Sequence, residues 1–320
     1  MEERGAGRWY FILDLDGVVY REKQVLPGAV EFFARAREEG ARWVFVTNNS
    51  TRTPESFAEK LTGLGIPTQP EQVLTSSIAT ARYLAGKLAR ELGRPVRALV
   101  IGEAGLHQTL AAAGVQVITA EVAWAERHSL PAAQPGAPAI DVAVVGLDTR
   151  FDYSKLRTAC YWIRQGAVFI GTNPDKTFPY AEGIGPGCGS ILAAVEACTD
   201  QKPLLMGKPG RPLLDAALER LGLGLGLDHL SSGSGQDGPG HGTEPDEVEY
   251  PGARQSRVLV IGDRLDTDIA FARRHGFPAC LVLTGVTTAA EVAAGEKLPV
   301  DWRPDLVVAG LGELAVRLWG

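Results

Sequence analysis

The chain has 320 residues, more than one hydrophobic core usually carries; length therefore favours two domains, or one with a large insertion, and excludes a disulfide-stapled miniprotein. Hydrophobic residues at 45% and charged residues at 22% match an average globular chain and exclude global disorder. A net charge of −6 without a concentrated basic patch argues against nucleic acid as a partner, and the lack of an 18-residue apolar run or a signal-peptide core argues against a membrane and for the cytoplasm.

Short β-branched and aromatic runs alternate with helix-periodic segments, the pattern of a parallel sheet covered by helices, so the fold class is α/β. A first strand is expected at 9–13. A helix follows Pro27, with Val30, Phe33 and Ala34 as its apolar stripe and Gly40 as its stop. The second strand reads 43–46. Thr53 and Pro54 then make an N-cap and first helical residue, with Phe57, Leu61 and Leu64 spaced for one helix face. A strand at 73–75 leads to a helix over about 78–92.

Gly93, Arg94 and Pro95 break the chain, and a new strand-helix alternation runs through strands at 96–101, 140–147 and 168–170. The first pattern resumes at Leu204 and Leu205, followed by a helix at 212–221, a strand at 258–261, a helix at about 265–275 and a strand at 279–283. This predicts a domain at 94–201 inserted into one formed by 1–93 and 202–320. Residues 128–138 read as an Ala/Pro-rich surface loop, and 222–255 as a flexible Gly/Ser/acidic insertion too poor in apolar residues to offset its ordering entropy. Cys160, Cys188, Cys198 and Cys280 lack CxxC spacing and are expected as buried thiols.

Four polar clusters stand at predicted strand ends, where open α/β sheets bind ligands. Asp14 and Asp16, two residues apart before Gly17, allow one ionised carboxylate to act as nucleophile or metal ligand beside one acting as general acid. Thr47, Asn48, Asn49 and Ser50 offer a hydroxyl, amides and backbone N–H groups to an anion. Lys208 supplies one cation ahead of a helix. Asp263, Asp266 and Asp268 crowd three carboxylates into six residues, which calls for a hard cation such as Mg²⁺, although Asp266 also suits a helix dipole alone.

Taken together and in this order, FILDLDGVVY, VTNNS, GKP and GDRLDTDI resemble the four signature motifs of the haloacid dehalogenase superfamily of Mg²⁺-dependent phosphohydrolases. The segment between the second and third motifs, with VVGLD and FIGTNPDKTFP, is similar to the cap of the NagD-like or 4-nitrophenylphosphatase branch. The resemblance spans nearly the whole chain except 222–255. It implies a Rossmann-like core with an inserted α/β cap, and a phosphatase of small phosphorylated metabolites such as sugar phosphates, nucleotide monophosphates, phosphoglycolate or 4-nitrophenyl phosphate. By motif, Asp14 would be the nucleophile and Asp16 the general acid and base. Asp14, the Asp16 backbone carbonyl and Asp263 would hold Mg²⁺, with Asp268 behind them. Thr47, Asn48, Asn49 and Lys208 would bind the phosphoryl group. A homodimer through the cap stays open.

Specificity is assigned to the cap loop at 172–187, with Asn173, Asp175 and Lys176 for polar contacts and Phe178 for an apolar wall. Phe178 stands near a position where pyridoxal-phosphate-selective members present histidine, which speaks against that substrate. The competing reading is a catalytically silent phosphometabolite-binding regulator of the same fold. Retention of both Asp14 and Asp16 favours the enzyme.

Overall fold

Trp9–Leu13 is the hinge of a six-stranded sheet, flanked on one side by Arg42–Thr47 and then Val73–Thr75, and on the other by Arg257–Gly262, Ala279–Val282 and Leu306–Val308. Every pairing in this sheet is parallel. Alternate residues of the first strand are buried on opposite faces. Ile12 joins Val44, Val46, Val258 and Val260 under helix Arg211–Leu221, while Phe11 and Leu13 join Trp43, Phe45 and Ile261 under helices Ala29–Glu38 and Leu311–Trp319. Burial on both faces explains why these strands read as unbroken apolar runs.

The computed structural model describes residues 8–127, 139–180, 183–224, 257–293 and 295–320. The expected loop at 128–138 and, from 225 on, the expected insertion at 222–255 lie outside them. No described helix is long and apolar enough to cross a membrane. Cys160, Cys188 and Cys280 are buried and Cys198 half-buried, all as free thiols.

A second parallel sheet runs in the order Leu204–Leu205, Val168–Gly171, Val142–Val145, Arg97–Ile101, Gln116–Ile118. Here one expectation is corrected: Leu204–Leu205 does not resume the first sheet but pairs with Val168–Gly171 at the edge of the second. Two residues carry no periodicity, so only the partner strand decides which sheet they join. The strand expected at 140–147 is shorter, Val142–Val145, with the flanking Asp141 backbone still bonded to Arg97 and Val168 and the Asp141 carboxylate accepting from the guanidinium of Arg94 at 2.7 and 2.8 Å and from the Arg97 N–H at 2.8 Å.

Helix starts follow their caps. The Thr53 hydroxyl accepts from the Ser56 N–H ahead of Pro54–Gly63, and Thr75 accepts from the Ile78 N–H at 3.3 Å, so the expected 78–92 helix begins at Ser76. The segment expected as a continuous helix at 265–275 opens instead with a π-helical turn, Leu265–Ile269, before Ala270–Arg274. The loop expected at 172–187 contains a hairpin, Thr177–Tyr180 with Gly183–Pro186.

Candidate active site

The first strand is where chain order reverses in the sheet, so the crevice outside its carboxyl end is the ligand position of a doubly wound fold. Asp14 leaves that strand with its N–H still donating to the Ile261 carbonyl at 2.9 Å. The chain then folds tightly over Leu15, whose carbonyl accepts from the N–H of Val19 at 2.9 Å. Gly17 sits at φ 81°, and a Cβ there would lie 2.5 Å from Asp263 Oδ2, so both backbone conformation and space demand glycine.

Carboxylate oxygens of Asp14, Asp263 and Asp268 lie within 4.8 Å of one another. Lys208, 3% exposed, ties two of them together: its Nζ donates to Asp14 and, at 2.6 Å, to Asp268 Oδ1. The π-helical turn after Asp263 lets Asp268 reach back, its Oδ2 accepting from the N–H groups of Asp263 and Arg264 at 3.2 and 3.1 Å. Asp263 Oδ2 accepts from the Val286 N–H at 2.6 Å, across Gly285, where a Cβ would come within 1.8 Å of that oxygen. Asp266 stays apart, paired with Arg264 at the surface.

Burial raises the carboxyls of Asp14 and Asp263 well above the usual range, and neighbouring acids push further. Burial also works against a charged Lys208, but Asp14 and Asp268 outweigh it and hold the ammonium more firmly charged than usual. With all three acids ionised, one ammonium would leave two negative charges uncompensated, which is the complement of one divalent cation. All offered donors are oxygens, the choice of a hard ion such as Mg²⁺.

Asp16 opens to the cleft, its carboxyl raised by desolvation and drawn back chiefly by Lys60. Lys60 Nζ rests 3.3 Å above the ring centroid of the buried Tyr20, whose backbone bridges to Asp16. Neither Tyr20 nor Lys60 was legible as a site residue, because the hairpin Tyr20–Arg21 with Gln24–Val25 that carries the tyrosine has only two residues per strand.

The polar loop after the second strand is internally organised. Thr47 Oγ1 accepts from the Asn49 N–H at 3.1 Å, and Asn49 Oδ1 accepts from the Thr51 N–H at 2.9 Å. The Asn48 carboxamide reaches across the cleft: its Oδ1 accepts from the Lys208 N–H at 2.7 Å and its Nδ2 donates to the Lys208 carbonyl at 3.0 Å. Asn48, expected to bind phosphoryl oxygens, therefore has its side chain committed to the lysine loop, while its carbonyl accepts from Ser76 Oγ and Asn173 Nδ2, each at 2.9 Å.

The residues expected at 172–187 separate. Asn173 is buried and donates to the Asn48 carbonyl at 2.9 Å, so it faces the loop after the second strand. Asp175 accepts from Asn48 Nδ2 at 3.3 Å through both oxygens. Lys176 is exposed, and Phe178 is half-buried against the core of the second sheet.

Residues 11–116 match the family described as haloacid dehalogenase-like hydrolase, and 205–314 match a second HAD-hydrolase-like family. An acid sugar phosphatase of Staphylococcus aureus is 32% identical over 282 residues, 88% of this chain and 89% of that protein. The crystal structure of a 4-nitrophenylphosphatase from Thermotoga maritima superposes with a TM-score of 0.71 at 31% identity, covering 96% of each chain. That of a glycerol phosphate phosphatase from Mycobacterium tuberculosis, in complex with magnesium, gives a TM-score of 0.72 at 31% identity over 95% of this chain and 75% of that one.

Proposed function

Since this chain belongs to the haloacid dehalogenase-like hydrolases and is a phosphoric monoester hydrolase, we propose that it hydrolyses small phosphorylated metabolites of the sugar phosphate, nucleotide monophosphate, phosphoglycolate or 4-nitrophenyl phosphate type, with Asp14 as nucleophile. The observation that carries this reading is Lys208 bridging Asp14 and Asp268 beside Asp263 at the sheet's switch point. A phosphate dianion cannot approach a carboxylate cluster unless cations offset the repulsion. Lys208 supplies one such charge. Mg²⁺ bound by Asp14, the Asp16 carbonyl and Asp263 would supply the rest and polarise the phosphoryl oxygens.

In this mechanism an Asp14 carboxylate oxygen forms a bond to phosphorus as the ester P–O bond breaks, and Asp16 gives its proton to the departing oxygen. Asp16, now a carboxylate, takes a proton from water as that water attacks the phosphorus of the aspartyl phosphate. The bond between the Asp14 oxygen and phosphorus breaks, which releases inorganic phosphate and restores the Asp14 carboxylate. Thr47 and the backbone after it, with Lys208, hold the phosphoryl oxygens in line, while Asp268 keeps Lys208 and the turn at Asp263 in place. The segment 94–201 acts as the cap, and Lys176 and Phe178 are its contacts to the leaving group. Asn173 serves the junction with the phosphate loop instead.

Phosphate release from a panel of phosphorylated metabolites, with and without Mg²⁺, tests the reading. Mg²⁺-dependent turnover lost in Asp14→Asn is expected; a wild type inert on every ester, or unaffected by excess chelator, refutes it.

A further inference from the structure

Asn48 is gripped from both sides. On one side stand the N–H and carbonyl of Lys208, from the loop after Leu204–Leu205. On the other stands the turn after Val168–Gly171, with Asn173 on the Asn48 backbone carbonyl and the Asp175 carboxylate on the Asn48 side chain. The two protons on Asn48 Nδ2 are thereby divided, one to the Lys208 carbonyl and one shared by the two Asp175 oxygens. The Lys208 N–H and carbonyl set which way the carboxamide faces, and the Asp175 carboxylate, which only a donor can face, reinforces that orientation from the opposite side.

The junction leaves no slack. A Cβ on Gly207 would lie 2.5 Å from both Asn48 Oδ1 and the Thr172 carbonyl, and one on Gly187 would lie 2.2 Å from the Asp175 carbonyl. Asp175 is itself aimed by the Asn173 side chain, whose Oδ1 accepts the Asp175 N–H at 3.2 Å, and by the Gly189 N–H on its carbonyl at 2.8 Å. Holding a half-buried carboxylate against one neutral amide is costly, and Arg264 and Lys208 are near enough to offset part of that cost. An apolar side chain would fill the space without that cost, so packing alone does not account for an acid here.

We infer that Asp175 is a positioning residue: by orienting the Asn48 carboxamide it sets the backbone of Lys208, and so aligns the phosphoryl-binding cation with the placement of the second sheet. Asp175 thus acts on the phosphoryl end of every substrate alike and does not read the leaving group, in contrast to its neighbours Lys176 and Phe178. This rests on the phosphatase reading above.

The test compares Asp175→Ala, Asp175→Ser and Asp175→Asn on 4-nitrophenyl phosphate and on glycerol phosphate, with Asn48→Ala and the double variant Asn48→Ala/Asp175→Ala alongside. Asp175→Ala and Asp175→Ser are expected to lower kcat/KM about tenfold on both esters equally. Asp175→Asn keeps an acceptor oxygen for Asn48 and is expected to recover most of it. The double variant is expected to be no worse than Asn48→Ala, because the two residues act through one another. An unchanged kcat/KM in Asp175→Ser, a loss confined to one ester, Asp175→Asn as impaired as Asp175→Ser, or losses that multiply in the double variant would each overturn the inference on an active wild type. Hydrogen exchange at the Lys208 amide decides independently of activity: it is expected to quicken in Asp175→Ser and not in Asp175→Asn, and equal rates in both overturn the inference. A wild type that releases no phosphate refutes the phosphatase reading instead.

Discussion

Replacing Lys208 by methionine keeps most of the unbranched apolar stem and removes the ammonium held between Asp14 and Asp268. At the 2.6 Å separating Nζ from Asp268 Oδ1, the attraction is about 6 kcal/mol at an effective dielectric of about 20. Desolvation of both partners cancels much of it, but deleting one leaves the other charge buried and unpaired, a loss of about 3–5 kcal/mol. The lower end applies here, since Asp14 and Asp263 already hold protons more tightly than usual and one of them takes a proton when the ammonium goes. At roughly 2 °C per kcal/mol for a chain of this size, metal-free Lys208→Met should melt about 6 °C below wild type. Mg²⁺ supplies positive charge to the same cluster, so the deficit should narrow on adding it. The lost charge on the transferring phosphoryl group should cost about 10²–10³-fold in kcat/KM. Calorimetry with and without Mg²⁺, together with initial rates on 4-nitrophenyl phosphate, measures both. Equal melting temperatures in chelator, or rates within about threefold of wild type, would refute the role given to this ion cluster.

Asp16→Asn should lose more activity on alkyl phosphates than on 4-nitrophenyl phosphate, whose leaving oxygen needs little protonation; equal losses on both would remove Asp16 as the proton donor. Gly285→Ala places a Cβ 1.8 Å from Asp263 Oδ2, so it should displace that carboxylate and raise the Mg²⁺ concentration needed for half-maximal activity about tenfold or more, and an unchanged metal requirement would contradict this placement. Because burial raises the Asp175 carboxyl, the folded state holds its proton more tightly than the unfolded chain. Ionised Asp175 therefore costs stability above its folded pKa, a cost that fades as pH falls through that value towards the unfolded one. Asp175→Asn should accordingly melt higher than wild type at pH 8 and converge with it near pH 4; the opposite trend would show that the folded state favours the ionised form. Lys176→Ala and Phe178→His should re-rank metabolite esters by kcat/KM with little change on 4-nitrophenyl phosphate, and a uniform change across esters would exclude leaving-group recognition by this hairpin.

The parallel α/β class and the three acid- or hydroxyl-bearing strand ends of the first sheet were legible in the sequence, because each is a local event. A doubly buried strand must be continuously apolar, as Phe11 to Leu13 and Val258 to Ile261 are, and the first polar residues after it mark its carboxyl end. Asp14, Thr47 and Asp263 follow such runs. What the sequence could not rank was contact between distant segments. Lys208 meets Asp14 across 194 positions, and Asn48 meets Asp175 across 127, with no periodicity linking either pair. Leu204–Leu205 is too short to announce its sheet, and its pairing with Val168–Gly171 follows from which edge was open. The C-terminal strand Leu306–Val308 is three residues beside Ala279–Val282 that acquire meaning only once the sheet exists, whereas helix Leu311–Trp319, over Phe11 and Phe32, has its signal in the sequence, with Leu311, Leu314, Ala315 and Leu318 at helical spacing, and is absent from the elements predicted above. Local patterning sets which residues arrive at the crevice. Which of their donors and acceptors remain free for a substrate is decided by long-range hydrogen bonds, which spend the carboxamide of Asn48 on the protein itself.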